Sequence, residues 1–242
     1  MTYSFSMSEA NTRRLAEQGD SASQFALGFL YFDGKSIPRD LAQAAYWFKK
    51  AAEQGHARAQ YNLATCYGTG QGVSKDPALA FYWYKKAAEQ GSYSAQYNVG
   101  ASYNEGFGVA RDRAQAIWWF RKSAEQGCAD AQFNLGQGYY HGDGLKVDYA
   151  QAVFWWRKAA DQGDSAAQYH MGFCHLKGHG ACKDEIEAYA YFNLASVHNE
   201  NARRSLEILH GHFSPTIRLR AQQRTRQLRR EINAKIEAKK AR

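Results

Sequence analysis

Apolar and polar residues along this chain follow a helical period that glycine interrupts at regular intervals. Leu63, Ala64 and Tyr67 make one apolar stripe; Ala44, Trp47, Phe48 and Ala51 make another. Spacings of three and four put such residues on one helical face, whereas a strand would require alternation. The first kind of stretch reads Ala-Gln-aromatic-Asn-apolar-Ala/Gly at 59–64, 95–100 and 131–136. The second reads Ala-x-x-Trp-aromatic-Lys/Arg-Lys from Ala44, Ala80, Ala116 and Ala152. A single pair of such helices leaves its stripes half covered, so the pattern predicts hairpins that stack on one another.

The period is strict. Ala-Glu-Gln-Gly at 16–19 recurs at 52–55, 88–91 and 124–127, and as Ala-Asp-Gln-Gly at 160–163, every step being 36 residues. Gly34, Gly70, Gly106, Gly142 and Gly178 keep that step, as do Asp40, Asp76, Asp112, Asp148 and Asp184. Five units follow: 20–55, 56–91, 92–127, 128–163 and 164–199. Residues 1–19 are expected to form an N-terminal capping helix. Residues 200–242 are expected to hold an incomplete sixth unit and a basic C-terminal capping helix opened by Ser214-Pro215. Each Gln-Gly glycine suits a helix end that needs positive φ, and Asn199 fills that slot in the fifth unit. The recurring aspartates suit helix N-caps, and Pro77 suits a first helical position. Small residues at Gly28, Ala64, Gly100, Gly136 and Gly172 are expected to face Trp47, Trp83, Trp119, Trp155 and Tyr191. In the final helix, Ile217, Ala221, Leu228, Ile232 and Ile236 are expected to dock on the last hairpin.

Ala-Gln-Tyr-Asn-Leu-Ala, then Gly-x-Gly-Val, then Asp-x-x-x-Ala-x-x-Trp-Tyr-Lys-Lys-Ala-Ala-Glu-Gln-Gly resembles the Sel-one-like repeat (SLR) family, a relative of the tetratricopeptide repeats. The resemblance covers about residues 20–199. It implies an all-α, right-handed superhelix, a solenoid of five hairpins with capping helices, that holds other proteins in complexes. The first helices of such solenoids line the concave face. The cysteine-rich secreted branch pairs two cysteines in each repeat, a pattern missing here.

On that face the aligned ladder is Asn62, Asn98 and Asn134, with Ala26 and His170 at its ends. Tyr61, Tyr97, Phe133 and Tyr169 run beside it, with Arg58, Thr65 and Gln137 as neighbours by spacing. Asparagine offers a donor and an acceptor to a peptide backbone, and aromatic rings add contact area at low entropic cost. The alternative is internal: asparagines bridging repeats, and aromatics in the core.

Charge adds a second candidate. Of the net +8, residues 203–242 contribute +9. Arg220, Arg224, Arg226, Arg229 and Arg230 make a basic surface that suits phosphates, an acidic protein or an anionic lipid surface, or simply a solvated cap. No aromatic interleaves that helix, so base stacking has no support there.

Chemistry is otherwise sparse. Cys174, His175, His179 and Cys182 have zinc-ligand identities in a spacing unlike the common motifs, and His175 occupies a core slot held elsewhere by tyrosine. The Gly-x-Gly loops recur and precede no Gly-Lys-Ser/Thr. No catalytic residue, metal or cofactor is therefore expected. The four cysteines suggest no disulfide framework, no stretch of eighteen apolar residues exists, and the N-terminus lacks an apolar leader pattern. A cytoplasmic scaffold with a protein or peptide partner is the expectation, nucleic acid being the alternative partner.

Overall fold

The structure, a computed structural model, describes residues 9–241, whose regular elements are all helices. They divide into two compact units, one ending at Asp112 and the other beginning at Arg113. The first unit holds α1 (Glu9–Glu17), α2 (Ser21–Asp33), α3 (Leu41–Glu53), α4 (Ala57–Thr69), α5 (Pro77–Glu89) and α6 (Tyr93–Glu105). Within it α2 pairs with α3 and α4 with α5 as hairpins, while α1–α2, α3–α4 and α5–α6 contacts stack the layers. The second unit holds α7 (Arg113–Glu125), α8 (Ala129–His141), α9 (Tyr149–Ala160), α10 (Ser165–Lys177), α11 (Glu185–Ala195), α12 (Glu200–His212) and α13 (Pro215–Lys240). Its hairpins are α8–α9 and α10–α11; α12 packs on α11, and so does α13, which turns back instead of closing a sixth hairpin.

Helix ends follow the chemistry of the punctuation. The carboxylates of Asp40, Asp76 and Asp148 accept hydrogen bonds of 2.9–3.0 Å from the amides three residues on. Each satisfies an orphan donor of the first turn. Gly34, Gly70, Gly106, Gly142 and Gly178 end the first helices in the left-handed region. Asn199 does not take the left-handed conformation expected of its slot. Its φ is −131° and its side chain caps α12 by accepting from the Ala202 amide at 3.0 Å. The sixth layer thus starts one residue early, because asparagine is a better N-cap than a left-handed stop.

The small-to-large packing is also displaced by one residue. A Cβ on Gly28 would lie 2.7 Å from Phe48, one on Gly136 2.5 Å from Trp156, and one on Gly172 2.7 Å from Phe192. The facing aromatic is therefore the second of each adjacent pair, not Trp47, Trp155 or Tyr191. Neighbours on a helix point about 100° apart, so only one of two adjacent rings can enter the seam.

Polar groups bind the layers as regularly as apolar ones. The buried side chains of Gln24, Gln60, Gln96, Gln132 and Gln168 donate to the carbonyls of Ala16, Ala52, Ala88, Ala124 and Ala160 at 3.0–3.3 Å. Gln54, Gln90 and Gln162 in turn donate to the oxygens of Gln24, Gln60 and Gln132 at 2.7–2.8 Å. Gln24, Gln60 and Gln132 thus each tie the end of the preceding helix to the end of their own hairpin. The bridging expected as one possibility for asparagine is performed by glutamine.

Helix α13 covers the last hairpin with Ala221, Thr225, Leu228 and Ile232, all buried. Ile217, one turn before Ala221, is expected in that stripe but is exposed.

Candidate functional site

On the first helices of the first unit, aromatic and polar side chains alternate along a half-buried surface. The Phe25 ring stacks on His56 at 4.7 Å and carries the Arg58 guanidinium at 5.0 Å. His56 has a pKa below its ordinary value because burial disfavours the imidazolium; its Nδ1 accepts the Ala59 amide as an N-cap. Tyr61 meets Tyr84 edge-on at 5.5 Å, and the Thr65 and Tyr84 hydroxyls lie 3.0 Å apart. Tyr97 and Asn98 are half-buried, the Asn98 amide donating to the Ser94 carbonyl one turn back. Asn62 is half-buried with no hydrogen-bond partner among the described residues.

The corresponding surface of the second unit is built around a histidine. His170 stacks on Trp156 at 4.4 Å and approaches Phe133 at 5.7 Å. Burial, helped by His141, pushes its pKa down to about 4, so the ring is neutral near pH 7. Trp156 is fixed by a 3.2 Å hydrogen bond from its indole to the Phe133 carbonyl. Asn134 donates to the Asp130 carbonyl at 2.8 Å. One turn on from it, the side-chain oxygen of Gln137 is buried without a donor. Asn62, a member of the predicted ladder, and the side-chain oxygen of Gln137, a neighbour by spacing, thus have no hydrogen-bond partner among the described residues.

The basic helix separates into two kinds of arginine. Arg224 faces inward and grips Glu187 in a bidentate pair at 2.6 and 2.9 Å, with Glu231 at 3.2 Å. The Glu187 hydrogen bonds foremost raise its pKa, so its charge is committed to the fold. Arg220, Arg226, Arg229 and Arg230 are exposed. Arg226 and Arg229, with Asn193, Gln222 and Thr225, line a shallow depression of about 200 Å³.

The four residues with zinc-ligand identities do not converge. Cys174 is buried, with its thiol pushed up to about 12 by desolvation, and Cys182 is exposed. His175 turns its Nδ1 to the Cys182 carbonyl, 3.1 Å away. His179 is held by the Tyr140 hydroxyl at 2.8 Å and stacks on Tyr149 at 4.9 Å. Among the described residues no three His, Cys, Asp or Glu side chains meet to hold a metal.

Sequence reasoning passed over two features. One is the glutamine network above. The other is a set of half-exposed rings on the second helices, Tyr46, Tyr82, Trp118 and Phe154, in a single slot of the 36-residue register. Their repetition was the available signal.

The model of the Sel1 repeat matches five times, at residues 21–56, 57–92, 94–128, 129–164 and 165–196. The chain is similar to c5321, a protective antigen of uropathogenic Escherichia coli strains displaying an SLR fold. Identity is 36% and the TM-score 0.83, over 96% of this chain and 50% of the antigen, so the chain spans half that protein's length. A Sel1 repeat protein from Oxalobacter formigenes is 34% identical with a TM-score of 0.73, over 79% of this chain and 80% of that one. Comparison with curated proteins finds no match. No helix among the described residues is long and apolar enough to cross a membrane. Five consecutive matches, hairpins in the same register and two structural relatives above 30% identity place this chain in the Sel1 repeat family, as a helical-repeat solenoid.

Proposed function

We propose that the protein is a non-catalytic adaptor that holds an extended peptide or a helix of a partner protein on the surface of its first helices. Sel1 repeat proteins are in general protein-interaction scaffolds. The observation that carries the finer reading is the unmatched amide chemistry. Asn62 and the buried Gln137 oxygen lack partners among the described residues, while the rings around them are already fixed by stacking. Asn62, half-exposed, offers a donor and an acceptor to a bound peptide backbone without first breaking a bond within the protein. Rings locked beforehand lose little entropy on binding. Free cysteines throughout the described residues support a reducing, cytoplasmic setting.

The exposed arginines of α13 support a second reading, in which a polyanion or acidic protein meets Arg220, Arg226, Arg229 and Arg230. The experiment is a tagged pull-down from native extract at low and high salt, with nuclease treatment in parallel. A discrete protein kept at high salt, and lost on Asn62→Ala with Gln137→Ala, is the expected result. Capture that vanishes with salt, nuclease or Arg→Glu changes in α13, and survives the amide changes, refutes the first reading in favour of the second.

A further inference from the structure

The second helices present an outward face with one composition in each unit. In the first unit Tyr46 on α3 and Tyr82 on α5 are 50% and 49% exposed; in the second, Trp118 on α7 and Phe154 on α9 are both 47% exposed. Each ring stands edge-on to the tryptophan that follows it, at 4.6–5.1 Å. Each also carries the ammonium of the lysine four residues on. Lys50 and Lys86 lie 5.7 Å from the ring centres, Lys122 3.9 Å and Lys158 4.6 Å. None of these four lysines has an ion pair among the described residues.

The fifth copy of this face shows what covers it. In α11 the corresponding slots hold Ala190 and Leu194 instead of a ring and a lysine, and Glu187 lies one turn before Ala190. Ala190 is fully buried and shares an apolar cluster with Leu228 and Ile232 of α13, while Leu194 packs against it. Arg224 of α13 closes on Glu187. An amphipathic helix thus lies along this face of α11, with its charge matched to the carboxylate there. The other four copies hold a ring and a lysine in those two slots, and so carry the opposite charge.

We propose that the outer faces of α3 and α5, and likewise of α7 and α9, dock an amphipathic helix of a partner protein, one with acidic flanks. Apolar side chains of the visitor at i, i+3, i+4 and i+7 would bury Tyr46 and Tyr82, or Trp118 and Phe154. Its carboxylates would draw the lysines off the rings into ion pairs that set orientation and specificity. Aromatic residues are the side chains most often found carrying interface energy. Stacked nucleic-acid bases fit less well, because one face of each ring is covered by a lysine and its neighbouring tryptophan crowds it.

The test uses the full chain and a synthetic peptide with the sequence of α13, 26 residues long, in which every arginine and lysine is replaced by glutamate. Unaltered α13 peptide is the comparison. The expected result is binding of the acidic peptide alone, with a Kd on the order of 1–10 μM. Tyr46→Ser with Tyr82→Ser, and separately Trp118→Ser with Phe154→Ser, each remove one copy of the surface, and all four together weaken binding at least about tenfold. Lys→Glu changes at Lys50, Lys86, Lys122 and Lys158 transfer the preference to the unaltered peptide. Circular dichroism confirms that each variant keeps its helices. Asn62→Ala with Gln137→Ala leaves the affinity unchanged, which separates this surface from that of the first helices. The proposal fails if the acidic peptide does not bind, if both peptides bind alike, or if the aromatic variants bind undiminished. It fails equally if oligothymidylate or anionic vesicles occupy the same residues more tightly.

Discussion

Gly55 and Gly72 both hold positive φ, at 88° and 75°, for different reasons. Around Gly55 nothing lies within 4 Å of a built Cβ, so only backbone conformation calls for glycine. At Gly72 the same Cβ would overlap the Leu41 carbonyl at the start of α3. Gly108 meets Pro77, Gly144 meets Arg113 and Gly180 meets Tyr149 in the same way. The first repeat has Ser36 in the corresponding position. An alanine in the left-handed region costs about 1–2 kcal/mol. Gly55→Ala should therefore cost about 1 kcal/mol, whereas Gly72→Ala should exceed about 3 kcal/mol because α3 must also shift. Urea unfolding of the two variants measures the gap, and equal losses would remove the steric argument. At this scale the sequence was legible wherever a residue type has one use: aspartate before a helix, glycine after one. It was illegible wherever a type has two. Gln60 and Asn62 sit two residues apart in the same motif. Nothing in their chemistry says that glutamine turns inward to the Ala52 carbonyl while asparagine does not.

Helices were readable as elements because the 36-residue register supplied independent copies of each. Their faces were harder to read. Trp47 and Phe48 are adjacent rings, and composition does not say which enters the seam. The end of the chain lost the help of repetition altogether. Helix α13 could be predicted to dock, but no copy marked Arg224 as different from Arg220. Its pair with Glu187 is half-buried and bidentate, a geometry worth more than an exposed surface pair. A double-mutant cycle with Arg224→Ala and Glu187→Ala should return a coupling of about 1–2 kcal/mol. Arg220→Ala should lie within about 0.5 kcal/mol of the unaltered protein, as an exposed site without partners among the described residues. A coupling near zero would mean that apolar burial alone holds α13 on α11.

Across the molecule, stability is shared among separate apolar clusters. In the first unit one cluster joins Ala44, Phe48, Ala51 and Leu63. In the second, one is centred on Trp156 and Met171 and another on Phe192 and Phe213. In a solenoid each layer touches only its neighbours, so stability is close to a sum of repeat and interface contributions. A defect in one cluster should then lower protection near itself first. Leu63 and Leu135 are both fully buried in the same slot of their repeats. Replacing either by alanine should cost about 2–5 kcal/mol locally. Hydrogen exchange of Leu63→Ala should show faster exchange in α2 to α5, with α8 to α11 close to the unaltered protein; Leu135→Ala should show the reverse. Uniform acceleration in both variants would instead make the chain one cooperative body, because opening any layer would then require opening all of them. The difference bears on function. A partner that bridges several layers would stabilise a chain of weakly coupled repeats in proportion to the layers it spans, since whatever binds only the folded form adds its binding energy to the layers it touches.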